Sequence, residues 1–309
     1  MHLIRSLKKF KHQYDGCVAT IGNFDGVHLG HQKMMRELKE KGKELNLPVV
    51  VITFEPHPKD YFVPQFAPSR ICRLRDKLVF LRDCGIDFVY LVRFTHNIAH
   101  MKAEKFIDDI LVGGLGIRYL VVGDDFRFGA AREGDFDLLV SQGQNKGFTV
   151  SRMPTYPLDG CRVSSSRIRA CLMQNDIGYA AKLLGREYSI SGRVRHGLKL
   201  GRKLEFPTAN IGLPQMPFPL NGVYFVRVYG LGDKVYPAVA NVGCRPTVDG
   251  TLTVLEVHIL EFDEDIYGRY IRVGFLHFLR PEQKFDSVDE LREQIEQDVA
   301  QSKKFFNLN

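Results

Sequence analysis

The chain has no tryptophan and no apolar run near the ~18 residues needed to cross a bilayer, so no membrane partner is expected. Its six cysteines (Cys17, Cys72, Cys84, Cys161, Cys171, Cys244) include no C-x-x-C pair and no His/Cys cluster. That pattern gives little support to zinc or dithiol chemistry and fits buried thiols in a reducing compartment. The N-terminal MHLIRSLKKFKHQYDG is basic but lacks the apolar core of a secretory signal. A soluble cytoplasmic protein is the expectation. Neither G-x-x-x-x-G-K-[ST] nor G-x-G-x-x-G occurs at the first strand-to-helix turn. A P-loop ATPase and a dinucleotide dehydrogenase both lose ground. There are no internal repeats and no low-complexity segments.

What is present is globular: 44% apolar residues, 26% charged, 22 Phe and 12 Tyr. At roughly 150 residues per domain, 309 residues suit two domains. The formal net charge of +7 suggests an anionic partner. Residues 1–185 hold 27 Lys+Arg against 20 Asp+Glu, and residues 186–309 hold 16 against 16. The whole excess therefore lies in the first unit, which points to two units with different tasks.

The first part alternates strands and helices. CVATIGNF, PVVVITF, FVYLVRF, YLVVGDDF and FTVSRMP have the Val/Ile/Phe content of buried strands. Amphipathic stretches at residues 31–45 and 70–85 lie between them and predict helices. This alternation predicts an α/β unit with a parallel sheet covered on both faces, ending near Pro154. Helices are expected across SSRIRACLMQND and IGYAAKLLG. From Tyr188 onward YSISGRV, GVYFVRVYG, KVYPAVANV, TLTVLEVHIL and RYIRVGFLHFL follow one another without helices. Turn signals separate them, including Asn221-Gly222 and Asp249-Gly250. An antiparallel barrel or sandwich is expected, then a helix from Ser287 with Glu290 at the capping-box position. The boundary is placed at residues 185–188, giving domains 1–185 and 186–309.

The first strand runs into Gly22-Asn23-Phe24-Asp25-Gly26-Val27-His28-Leu29-Gly30-His31. Glycines at such a turn let backbone approach a ligand, and the helix start offers free N–H groups to phosphate. His28 and His31 are three residues apart and can face one anion. They sit at the carboxyl end of a strand, where ligands of open α/β sheets bind. Three further segments follow strands or open a helix: Phe54-Glu55-Pro56-His57-Pro58, Gly123-Asp124-Asp125-Phe126-Arg127-Phe128-Gly129, and Ser164-Ser165-Ser166-Arg167-Ile168-Arg169. Taken singly, these are a rigid turn, a turn with core aromatics and a capped helix start. Their order makes coincidence a poor account.

Residues 20–32 resemble the H-x-G-H signature of nucleotidylyltransferases, in the variant of bacterial FAD synthetases. Leu29 departs from the commonest form of the superfamily, while both histidines and Gly30 are in place. The other segments are similar to that family's F-E-P-H-P, G-x-D-F-x-F-G and S-S-T-x-I-R motifs, with Ser166 where Thr is commoner. The resemblance implies a Rossmann-like unit transferring AMP from ATP to FMN. His28 and His31 would hold the phosphates and stabilise the leaving pyrophosphate. Gly22, Asn23, Phe24, Asp25, Gly26, Ser164, Ser165, Ser166 and Arg167 would contact ATP. Phe54, Pro56, His57, Pro58, Asp125 and Phe128 would contact the flavin. Mg²⁺ is the expected cofactor, neutralising the triphosphate.

In the second unit, Gly192, His196 and Gly197 precede Gly201-Arg202-Lys203-Leu204-Glu205-Phe206-Pro207-Thr208-Ala209-Asn210. Glycine with basic residues can form a flap over phosphates. Thr208 and Asn210, two apart, share a face of an extended strand and are hard ligands suited to Mg²⁺. Glu256 and His258 fall on one face of an apolar strand, with Leu255, Val257 and Ile259 on the other. A carboxylate there is either an ordinary outward residue or a group in use, such as a general base. Nearly the whole second unit resembles riboflavin kinase. The segments that carry this are residues 201–210, 221–224, 240–247, 256–260 and 278–280. The resemblance implies a six-stranded barrel. Gly192, His196, Gly197, Gly201, Lys203, Pro207, Thr208 and Asn210 would hold Mg·ATP. Glu256 would act as base on the riboflavin hydroxyl, and Arg280 with the C-terminal helix would border the flavin.

The combined order resembles bacterial bifunctional flavin-cofactor enzymes, working in series from riboflavin to FMN to FAD. A nucleic-acid-binding module is the competing class. It lacks a recognisable motif and any dense basic run beyond Lys8-Lys9-Phe10-Lys11. No nucleic-acid partner is expected, and a weak homo-oligomer is the one assembly left open. An enzyme with only one activity is disfavoured because both motif sets are complete.

Overall fold

The computed structural model describes residues 1–197, 204–213, 218–247 and 250–308. Two compact units emerge: Met1–Pro68 with Lys77–Ser164, and Ser69–Asp76 with Ser165–Asn309.

The first unit is built on a parallel sheet of β1 (His2–Leu3), β2 (Cys17–Ile21), β3 (Val49–Glu55), β4 (Phe88–Arg93), β5 (Ile117–Gly123) and β6 (Thr149–Met153). The spatial order is β1-β4-β3-β2-β5-β6. Successive residues of a strand face opposite sides. Accordingly Cys17, Ala19, Ile21, Val50 and Ile52 enter one core with Leu111, Leu115 and Leu139, and Val18, Val49 and Val51 enter another with Met35, Leu38 and Leu81. Both faces are buried, which explains why the strands are continuous apolar runs rather than alternating ones. Burial pushes the Cys17 thiol up to about 12, so at neutral pH it stays protonated and inert. The sheet ends at Met153, and a small hairpin follows, β7 (Pro157–Leu158) with β8 (Cys161–Arg162).

Connections leave β2 in one direction to β3 and β4. The chain then returns to place β5 on the other side of β2. The β2/β5 junction is thus the point where strand order reverses, the standard ligand crevice of open α/β sheets.

The second unit is a closed antiparallel barrel in the order β10-β13-β12-β11-β14-β9. Its strands are β9 (Tyr188–Arg195), β10 (Ala209–Gly212), β11 (Gly222–Tyr229), β12 (Tyr236–Thr247), β13 (Gly250–Ile259) and β14 (Tyr270–Arg280). Closure removes exposed edges and settles the choice between sandwich and barrel. Ile211, Tyr224, Ala240, Val242, Leu255 and Val257 are fully buried on the barrel's apolar side. Helices Ser165–Met173 and Ile177–Leu184 belong to this unit, so the compact units part earlier than the change in sequence texture. Segment Ser69–Asp76 joins them because the Arg73 guanidinium donates to the Ser191 carbonyl (2.9 Å) and the Gly212 carbonyl (2.5 Å). Arg75 stacks 3.8 Å over the Tyr270 ring.

The C-terminal helix Val288–Phe305 is capped by Ser287, whose Oγ accepts from the Glu290 N–H at 3.1 Å. The Glu290 carboxylate accepts from the Asp286 N–H (3.2 Å), so the reciprocal bond reaches one residue before the cap. Asp298 on this helix is buried and accepts two donors of Arg280, Nε at 2.9 Å and Nη2 at 2.7 Å, while Gln294 Nε2 adds a third at 3.0 Å. Breaking a largely buried charge pair leaves an uncompensated ion. Asp298→Ala is expected to lower unfolding stability by about 3 kcal/mol, read by urea denaturation.

Candidate functional site

In the first unit, β2 leads into helix Leu29–Leu45 through a tight loop. Phe24 and Val27 hold positive φ (47° and 40°) and both are buried. Such strain in non-glycine residues persists only where surrounding structure enforces it. His28 is the N-cap: its Nδ1 accepts from the His31 N–H at 3.4 Å. In the neutral ring this leaves the proton on Nε2. The two imidazoles are stacked at 3.6 Å, 17° between planes, and Phe24 meets His31 edge-on at 5.1 Å. Gly30 leaves room beside these rings, since a Cβ there would lie a tight 3.3 Å from the His28 ring. Asn23 Oδ1 is buried without a hydrogen-bond partner, an acceptor suited to a ligand donor or a cation.

The carboxyl end of β3 carries a second histidine cap. His57 is buried, and its Nδ1 accepts from the Lys59 N–H (3.1 Å) at the start of helix Pro58–Phe62. The preceding Glu55–Pro56 peptide bond is cis, Pro56 is exposed, and Pro58 takes the first helical position. Phe54 and Phe128 belong to one aromatic group, each packed against Phe106 at 6.5 and 5.8 Å.

After β5, Asp124 accepts from Thr155 Oγ1 at 2.6 Å, and Arg162 reaches Asp124 (3.4 Å) and Asp125 (3.0 Å). The Thr155 hydroxyl first, and Arg162 with it, hold the Asp124 carboxyl below the usual range. β2 and β5 are adjacent, with Thr20 paired to Val121. The His28/His31 turn and the Asp124/Asp125 turn therefore flank the switch point. Ser164 ends this unit, while Ser165, Ser166 and Arg167 open helix Ser165–Met173 in the other. Arg167 donates to the Tyr179 hydroxyl at 3.1 Å.

On the barrel, register brings the remaining residues together. Glu256 pairs with Asn210 on one side and with Asn241 on the other. Directly paired residues share a sheet face. Ile211, Leu255, Val242, Ala240 and Val257 take the apolar side, so Asn210, Glu256 and Asn241 form a polar row on the opposite side. Asn210 Nδ2 donates to the Thr208 carbonyl (3.3 Å), which leaves Asn210 Oδ1 buried and without a donor. An amide oxygen in that state suits a hard divalent cation. Gly197 permits this placement, because a Cβ there would lie 2.6 Å from the Asn210 amide. His258 Nδ1 is bonded to the Pro207 carbonyl at 2.9 Å, and burial pushes its pKa down, so the ring is neutral and Nδ1 is the donor.

Gly192 has a packing reason of its own, since a Cβ would overlap Ile211. The His196 ring lies 3.8 Å from that of Tyr267. Gly201 and Lys203 lie outside the described residues. Asn241 was not among the residues singled out from sequence. The Asp249-Gly250 turn signal in the sequence could have found it: Thr247 pairs with Gly250, and counting back along both strands sets Asn241 against Glu256.

Residues 10–167 match the family model described as FAD synthetase, and residues 184–306 match that of riboflavin kinase. The chain is 48% identical over 309 residues to a bifunctional riboflavin kinase/FMN adenylyltransferase of Escherichia coli (strain K12), covering 100% of this chain and 99% of that protein. A protein of the same name from Haemophilus influenzae is 45% identical over 307 residues, covering 99% and 100%. A crystal structure from Streptococcus pneumoniae, titled a macrolide-efflux protein, superposes with TM-score 0.81 and 31% identity over 97% of this chain and 98% of that one. Among the described residues of the present chain, no helix is long and apolar enough to cross a membrane. With both family models matched in this order and near-complete coverage of the relatives, the chain belongs to the bifunctional riboflavin kinase/FMN adenylyltransferase family.

Proposed function

We propose that this chain converts riboflavin to FMN on the barrel and FMN to FAD at the carboxyl end of the parallel sheet, using ATP at each step. The functional division is 1–185 for adenylyl transfer and 186–309 for the kinase, and the compartment is the cytoplasm. The observation that carries the reading is the Asn210–Glu256 pairing: a carboxylate beside a buried amide oxygen that has no donor.

In the kinase step the riboflavin 5′-oxygen attacks the γ-phosphorus, its bond to ADP breaks, and Glu256 takes the hydroxyl proton. Mg²⁺, held by the Thr208 hydroxyl and Asn210 Oδ1, would neutralise the triphosphate. Gly192, His196, Gly197, Gly201, Lys203 and Pro207 are the proposed ATP contacts of this step. The His258–Pro207 bond steadies the loop that carries Thr208. Arg280, fixed by Asp298, borders the flavin.

In the second step an oxygen of the FMN phosphate attacks the α-phosphorus of ATP and the bond to pyrophosphate breaks. No covalent enzyme intermediate is needed, so the protein supplies position and positive potential. His28 and His31 hold the phosphates, with Gly22, Asn23, Phe24, Asp25, Gly26, Ser164, Ser165, Ser166 and Arg167 on ATP. Phe54, Pro56, His57, Pro58, Asp125 and Phe128 hold the flavin. The net excess of seven positive charges in residues 1–185 suits a step that gathers two anions.

Isotope placement tests this reading. Label from the γ-phosphate of ATP is expected in FMN, and label from the α-phosphate only in FAD. α-Label in FMN, or neither label in flavin, would refute it. Asn210→Ala is expected to raise the Mg²⁺ concentration for half-maximal FMN formation about tenfold and leave FAD formation from supplied FMN unchanged.

A further inference from the structure

The polar row on the barrel contains one residue that the two-step reading leaves without a task. Asn241 stands on β12 directly opposite Glu256, and its Oδ1 is buried without a hydrogen-bond partner. Such an acceptor is costly unless a ligand fills it. Gly243, two residues on and on the same face, leaves room for the Glu282 carboxylate beside Asn241: a Cβ at that position would overlap that carboxylate and come within 3.2 Å of Asn241 Nδ2.

Adjacent strands are about 4.8 Å apart, so the two amides flank the Glu256 carboxylate, one on each side. A base in phosphoryl transfer lies within hydrogen-bond reach of the attacking alcohol, whose oxygen faces the phosphoryl donor directly, so the base needs room for the alcohol as well as for the donor. The Asn210 flank carries Thr208 and Gly197, the ATP side. The Asn241 flank is then the alcohol side. The chemistry of the orphan atom agrees. An amide oxygen needs a donor, phosphate oxygens of ATP at neutral pH only accept, and a polyol supplies hydroxyl donors.

We infer that Asn241 is a substrate-contacting residue of the kinase step, its Oδ1 accepting a hydrogen bond from a hydroxyl of the flavin's polyol chain. This rests on the kinase reading of the barrel. It makes Asn241 a specificity element that favours a hydroxylated chain over an alkyl one, because a substrate without that hydroxyl would leave the buried oxygen unpaired.

The test is steady-state FMN formation by the full chain carrying Asn241→Leu, similar in size but without polar atoms, or Asn241→Asp, which keeps an acceptor oxygen. Asn241→Leu is expected to raise the riboflavin KM about tenfold or more. Half-saturation by ATP and Mg²⁺, and FAD formation from supplied FMN, stay at wild-type values. Asn241→Asp is expected to recover most of the riboflavin affinity. An unchanged riboflavin KM in Asn241→Leu overturns the inference. A rise confined to ATP or Mg²⁺ also overturns it, by giving the atom to the nucleotide side. Loss of both activities would reduce Asn241 to a structural residue and overturn it too. A wild-type chain that makes no FMN refutes the kinase reading itself, and is told apart because no variant is involved.

Discussion

Glu256→Gln is expected to lower FMN formation by between about 10²- and 10⁴-fold, the range in which positioned general bases contribute. The substitution is nearly isosteric, and the flanking pairs Leu255–Val242 and Val257–Ala240 remain buried, so the barrel stays closed. What the proposed base would lose is the ability to take a proton from the attacking hydroxyl. FAD formation from supplied FMN is expected to be unaffected, because Glu256 belongs to the barrel unit and His28 and His31, the proposed adenylyl-transfer histidines, to the sheet unit. Both reactions are measured on one preparation, so the second is an internal control for folding. An unchanged FMN rate would remove the base assignment while leaving the family membership intact.

His28→Ala removes two things at once. The N-cap acceptor for the His31 N–H is lost, which costs about 1 kcal/mol. So is the ring stacked on His31, which is expected to lower FAD formation by more than about 10²-fold. His28→Asn separates the two effects, because asparagine is a good N-cap but has no imidazole Nε2 to offer a phosphate. Stability is expected to return in His28→Asn and FAD formation is not. FMN then accumulates from riboflavin in both variants. Recovery of FAD formation in His28→Asn would mean that His28 only caps the helix.

Most strands of both units were legible because each is a run rich in Val, Ile and Phe bounded by turn residues. β1 and β10 were not, since two and four residues carry no period. β10 was approached only through the spacing of Thr208 and Asn210. The strap around Arg73 was hidden within a longer amphipathic stretch. Its guanidinium meets carbonyls of Ser191 and Gly212, contacts set by tertiary folding and not by spacing. The histidines were legible as a pair, but not their geometry: that one caps the helix and the other stacks on it depends on Gly30 and on the strained turn at Phe24 and Val27. Asn241 escaped because an asparagine in A-N-V-G looks like any outward strand residue. Its importance lies in what stands opposite, fifteen positions further along the chain.

The central claim is that one chain runs two reactions in series. Riboflavin with Mg·ATP, flavins followed by chromatography over time, tests it most directly. FMN is expected to appear first and FAD after a lag, with the FMN concentration passing through a maximum as riboflavin is exhausted. FAD without transient FMN, or FMN that never proceeds to FAD, would contradict it.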